Sequence, residues 1–260
     1  MNKIGFVIFV LVMLLLQPLA VSALTSDEAK LNWREAKQQS KGAQNVHRDA
    51  KIEWAANKTS ENEQRVIDTG KDALNAALDE AEAWLIFVDL DVKENPEIPD
   101  ELKQTIEHDV DVNLEKIYTL RAEVSDVKTR FDLGVVFLKM VGKYFELVSD
   151  VARDMGMIWV HVANTRAETV DDYESKLRAE AEGMSDNEDI IEKLDLAASE
   201  LETAKHNIEN AKSVYEEVKI PGQPMIKFSE GNSYLRAARA NLLSAHRYLD
   251  QAFNLMVLRG

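Results

Sequence analysis

Five histidines, 46 carboxylates and no cysteine are the side chains with which this 260-residue sequence could bind a metal or move a proton. A dinuclear metal site inside a helical bundle takes a Glu three residues ahead of a His on each of two helices. The positions three before His47, His108, His161, His206 and His246 hold Gln44, Thr105, Ile158, Thr203 and Leu243, so that motif is absent. No H-E-x-x-H zinc motif is present either. The run from Asp109 to Asn113, DVDVN, opens like a calcium-binding loop. Leu114 then stands where that loop needs Gly, and Leu120 stands where it needs the bidentate Glu. Glycine-rich phosphate loops and nucleophile elbows are also missing. The expectation is a protein without catalytic residues, metal or cofactor.

Weaker constellations remain. Glu146, Asp150, Asp154 and His161 fit one helical stripe that could hold a metal or relay a proton. The competing reading makes them the wet face of an amphipathic helix whose core face is Leu138, Val141, Phe145, Val148, Met155 and Val162. That second reading is favoured. Ten acidic residues against Lys176 and Arg178 lie between Glu168 and Glu192, which reads as solvation of a helix end and its turn. Trp33, Trp54, Trp84 and Trp159 could line a ligand groove, the first two sharing a face three heptads apart, although packing between helices is the expected use. The patch Phe131, Phe137, Met140 and Tyr144 is the candidate partner-binding surface, to the extent that neighbouring helices leave it bare. Asn57-Lys58-Thr59 is the one N-x-[ST] triplet, placed in an expected turn, and makes Asn57 the glycosylation candidate.

These residues need elements to hold them, and the punctuation for helices is clear. Thr25 with Glu28, Ser60 with Glu63 and Ser185 with Glu188 have capping-box form. Pro96 with Pro99, and Pro221 with Pro224, mark breaks, because proline has no N–H to donate within a helix. Helices are expected over 26–58, 61–93, 100–131, 133–182, 187–218 and 229–258. Ile190, Leu194, Ala197, Leu201, Ala204, Ile208, Ala211, Tyr215 and Val218 recur at steps of four and three. Leu235, Ala238, Leu242, Ala245, Leu249, Ala252 and Met256 do the same, so the last two helices should pair as an antiparallel hairpin. The first helix carries a thinner row, Ala29, Trp33, Ala36, Ser40, Ala43, His47, Ala50 and Trp54, with an echo of WREAK (33–37) in HRDAK (47–51). With only 10 Gly and 5 Pro there are few places for strands to turn. The expected fold is all-α: an elongated bundle of about six long antiparallel helices with heptad, coiled-coil-like seams, one domain over 24–260 with a possible subdivision near 131–134.

Residues 1–23 have the grammar of a signal peptide: Lys3, an uncharged run from Ile4 to Leu16, then Val21 and Ala23 as small residues before a cut after Ala23. An uncleaved N-terminal anchor is the alternative. Removing Lys3 with the leader takes the formal charge from −15 to −16, which disfavours nucleic acid and anionic membranes. The charges at Lys139, Lys143, Glu146, Asp150, Arg153 and Asp154 argue against a membrane span in the apolar stretch 131–163. The chain is thus expected to be secreted or at the cell surface and to act as a structural or protein-interaction module. A protein partner, self-association included, is expected. Two alternatives stay open: a membrane-active, pore-forming-like bundle, and a sensor or carrier with a small-ligand cavity between helices.

Overall fold

Threonine caps open three of the helices. In the computed structural model, which describes residues 24–259, the Glu28 backbone N–H donates to Thr25 Oγ1 at 3.3 Å and the Thr25 N–H to Glu28 Oε2 at 3.0 Å. Thr129 and Asp132 form the same reciprocal box, at 3.1 and 2.9 Å. The expected box at Ser60 shifts by one residue. Thr59, equally able to cap, accepts from the Asn62 N–H at 3.2 Å, and Ser60 becomes the first helical residue. Ser185 does not cap at all: Asn187 is the N-cap, and its amide is committed to the Ala181 carbonyl at 2.7 Å. The expected leader and its expected cut after Ala23 lie outside the described residues.

Six α-helices result, and no strand is present among the described residues: α1 Ser26–Ala56, α2 Ser60–Glu94, α3 Asp100–Ser125, α4 Arg130–Glu182, α5 Glu188–Glu216 and α6 Pro224–Arg259. The fold is all-α, as the sequence implies. The break expected at 131–133 falls earlier, over 126–129, because Thr129 supplies a cap. α6 begins at Pro224 instead of 229, since proline is well placed at a first helical position, where its missing N–H costs nothing. No described helix is long and apolar enough to cross a membrane.

α4 organises the molecule. Its 53 residues run about 80 Å at about 1.5 Å per residue, long enough to serve two cores. The first half packs on α2 and α3, where Leu85, Ile106, Ile117, Val124, Leu147 and Val151 are buried. The second half packs on the α5–α6 hairpin, around Val160, Ala167, Leu201, Ile208, Tyr215 and Ala245. A third buried cluster, with Leu177, Ile190, Leu194 and Leu249, closes the far end. α1 packs against α2 alone.

The two cores lie on opposite faces of α4, and this overturns the expected phase of its central stretch. Leu138, Val141, Phe145 and Val162, expected in the core, are exposed. Asp154, expected on the wet face, is buried. The core of the first half is instead Leu133, Val136, Leu147 and Val151. No single amphipathic phase describes a helix that changes its buried face partway along.

Candidate functional site

Because α1 leans only on α2, it buries just Ala29, Ser40 and Ala50 of its 31 residues. A groove of about 1210 Å³ opens between α1 and the first half of α4. Its floor is the small-residue side of α2, with Gly70, Ala73, Ala77 and Ala81. Gly70 lets the walls meet at one end: a Cβ there would lie 2.3 Å from Leu133 and 3.1 Å from the His47 ring. Trp33 and Trp54 line the groove from α1, Trp84 from the α2 floor, and Phe137, Met140 and Tyr144 from α4.

The tryptophans are held firmly. Trp33 stacks on Phe87 with ring centroids 5.8 Å apart and planes 3° from parallel. Trp54 carries the Arg130 guanidinium on its ring face at 3.6 Å, a cation–π contact that ties α1 to the start of α4. Trp84 packs against the first core. These three rings therefore line the groove that the sequence left as their second use. Phe137 and Tyr144 remain more than half exposed, at 54% and 56%, with Met140 half-buried between them.

The charged lining is one-sided. Lys37, Lys51, Lys116, Arg130 and Lys143 face Glu80 alone, in a chain whose formal charge is −15. Lys116 and Lys143 share Glu146 at 3.4 and 2.9 Å, and Arg130 stands 3.9 Å from Glu63. Lys37 and Lys51 have no carboxylate partner among the described residues, and the Lys37 ammonium sits 5.4 Å from the Trp33 ring centroid. His47 contributes a neutral edge: burial, then the charge of Lys51, pushes its pKa below the usual value, and its Nδ1 lies 3.3 Å from Thr69 Oγ1. At the floor, buried Asn113 donates to Asp150 Oδ2 at 3.0 Å and accepts from Lys116 at 3.2 Å.

The other candidates disperse. Phe131 stands apart from the groove and is 78% exposed, so the expected patch splits. The stripe divides too. Asp150 pairs with Arg153 and Lys116, whereas His161 Nε2 donates to the Glu97 carbonyl at 2.9 Å. Asp154 lies beside Arg153 at 3.5 Å; burial pushes its carboxyl up to about 8 against the pull of that guanidinium, and Asp109 and Asp150 push the same way. Asp109 to Asn113 lie within α3, where a helical backbone has no calcium-loop geometry. The acidic run crosses the α4–α5 turn and feeds ion pairs such as Arg178–Glu174 at 2.6 Å and Lys205–Asp171 at 3.0 Å. Among the described residues no group of three His, Asp or Glu stands close enough to hold a metal ion. Asn57 is exposed at the C-cap of α1.

Asn113, Lys116, Ser40 and Gln44 were missed as polar fittings of the groove. One signal pointed to it: polar Ser40 and His47 occupy positions of the α1 row that α5 fills with Ala, Ile and Leu. Comparison with family models, with curated proteins and with solved structures finds no match to the chain.

Proposed function

We propose that the protein is an exported, non-catalytic binding module that holds an elongated apolar ligand bearing an anionic group in the groove between α1 and α4. The observation that carries this reading is the groove itself, with tryptophans on the α1 wall and the α2 floor, an aromatic and thioether wall on α4, and cations around them. Its volume of about 1210 Å³ lies above the usual range of small-molecule sites, about 300–1,000 Å³. The lysines select the sign of the ligand, because an anion brought into an apolar cleft needs a charge partner there. Export rests on the leader-like residues 1–23. Of the two alternatives kept open from the sequence, the carrier has the cavity it requires, and the groove offers no catalytic constellation.

Three of the four tryptophans line the groove, so intrinsic fluorescence is the direct readout. Titration with dibrominated oleate should quench it saturably. Ala77→Phe, which fills the floor, should abolish saturable quenching. Lys37→Glu with Lys51→Glu should weaken binding at least about tenfold, the equivalent of about 1.4 kcal/mol. Dibrominated methyl oleate, without the charge, should bind more weakly than the acid. Absence of saturable quenching, or quenching indifferent to Ala77→Phe, overturns the reading.

A further inference from the structure

The face of α4 that receives the α5–α6 hairpin does not stop where the hairpin stops. Ala152, Gly156, Val160, Ala163 and Ala167 lie on the occupied part of this face, in or against the second core, with Tyr215 of the hairpin seated on Gly156. Continuing toward the N-terminus at the same steps of three and four, the row passes Ser149 and reaches Phe145, Gly142, Leu138, Val135 and Phe131. Those five are exposed, with Phe131 at 78%, Leu138 at 69% and Phe145 at 56%. One continuous apolar row thus has one half covered and the other bare.

The glycines of this row show what the bare half lacks. A Cβ on Gly156 would lie 2.4 Å from the Tyr215 ring, so Gly156 is the notch that admits a large side chain from a neighbouring helix. Gly142 stands two heptads earlier in the same row, and a Cβ there would meet nothing within 4 Å. Nothing inside the monomer requires a glycine at this point, although glycine is a poorer helix former than alanine. It is a notch without a knob.

We propose that the bare half of this row binds the same row of a second copy, antiparallel, to form a two-fold dimer. The row is self-complementary in that arrangement. When Leu138 of one copy is set against Gly142 of the other, Val135 falls against Phe145, and symmetry makes each contact twice. Large residues thereby face smaller ones, as Tyr215 faces Gly156 within the chain. Charge permits this surface to meet itself. Arg130, Lys139 and Lys143 are set against Asp132 and Glu146 over this stretch, a near balance in a chain that elsewhere repels its own copy at −15. The dimer face adjoins the groove through Phe145, which belongs to both, but the inference does not depend on a ligand being bound.

Sedimentation equilibrium of the purified full chain, with and without substitutions, tests the proposal. The wild type should show a concentration-dependent dimer in the micromolar range. Gly142→Glu should be monomeric with unchanged helicity, because the monomer has open space there, and Leu138→Glu should behave alike. Gly42→Glu places the same charge at another open helical glycine and should leave the dimer intact. Orientation is read by disulfide capture, since the chain has no cysteine of its own. A mixture of Leu138→Cys and Gly142→Cys chains should cross-link to each other faster than either does to itself. A wild type monomeric at about 100 μM, a dimer that survives Gly142→Glu, or preferential self-cross-linking would each overturn the antiparallel dimer.

Discussion

The two ends of α4 are packed by different rules. On the α5–α6 side the partners alternate large residues with alanine, and α5 buries Ile190, Leu194, Ala197, Leu201, Ala204, Ile208, Ala211, Val214 and Tyr215. Helices built that way approach until every gap is filled. On the other side α1 offers tryptophans, Ser40 and His47 in the equivalent row. Its rings are too wide and its polar groups too costly to desolvate for the helix to close on α4. Alternation of apolar residues brings helices together; the size and polarity of those residues decide whether they close completely or leave a groove.

The largest contrast should come from Tyr215. It is fully buried, seated against Gly156 and Gly231, and its hydroxyl donates to Asn232 at 2.8 Å. Tyr215→Ala should destabilise by about 3–5 kcal/mol in urea unfolding, as truncation of a core aromatic does. Trp33→Ala, in the open groove wall, should cost less than half as much. Similar losses would mean that the first half of α4 is packed as tightly as the second.

The reverse substitution sharpens the same contrast. Ala245 is fully buried between α6 and its neighbours, so Ala245→Leu should cost about 1–3 kcal/mol through overpacking. Ala77→Leu projects into the groove and should change stability by less than about 0.5 kcal/mol. Thermal unfolding of both variants checks the pair.

How much of this was legible follows the same division. The row from Ile190 to Val218 is legible from its spacing, because that one face is buried along its whole length between α4 and α6. The phase of α4 is not, because Leu138 and Phe145 look like core by pattern while the core lies on Leu133, Val136 and Leu147. Periodicity reports that a face is apolar and is silent on which of two apolar faces a neighbour covers. Phe137, Met140 and Tyr144 are legible as a surface, but that they face a common groove with Trp33 and Trp54 depends on how far α1 stands off, a tertiary property. Glu200, next to Leu201 of the α5 row, is half-buried and accepts from Asn241 at 2.7 Å, so Glu200→Ala should cost more than a free surface change.

Between the two regions lies Asp154, a buried carboxyl beside Arg153. Its carboxyl is raised to about 8 in the fold, chiefly by burial, from an ordinary value of 3.8. A group whose folded pKa is raised contributes stability that is fully present below its unfolded pKa and is lost as pH rises through the folded one. Stability should therefore fall on going from pH 5 to pH 9, by on the order of 2 kcal/mol from this group. Asp154→Asn, which stays neutral, should flatten that slope without lowering stability at pH 8. A slope unchanged in the Asn variant would mean that Arg153 keeps Asp154 ionised throughout.

Single methyl groups give the most local comparison of the two ends. Gly42 in α1 and Gly134 in α4 have nothing within 4 Å of an added Cβ, whereas Gly156 would bring its Cβ to 2.4 Å from the Tyr215 ring. In a helix interior Ala is favoured over Gly by about 0.8–1.0 kcal/mol, since glycine loses more backbone freedom on folding. Gly42→Ala and Gly134→Ala should therefore stabilise by about 0.5–1 kcal/mol each. Gly156→Ala gains the same propensity but must displace a ring pinned by Asn232 and Gly231, so its net effect should be destabilising by about 1–3 kcal/mol. The difference in sign between identical substitutions is the measurement, taken from urea midpoints at equal slope. Stabilisation by Gly156→Ala would show that the ring moves freely and that the α5–α6 side is no better packed than the groove side.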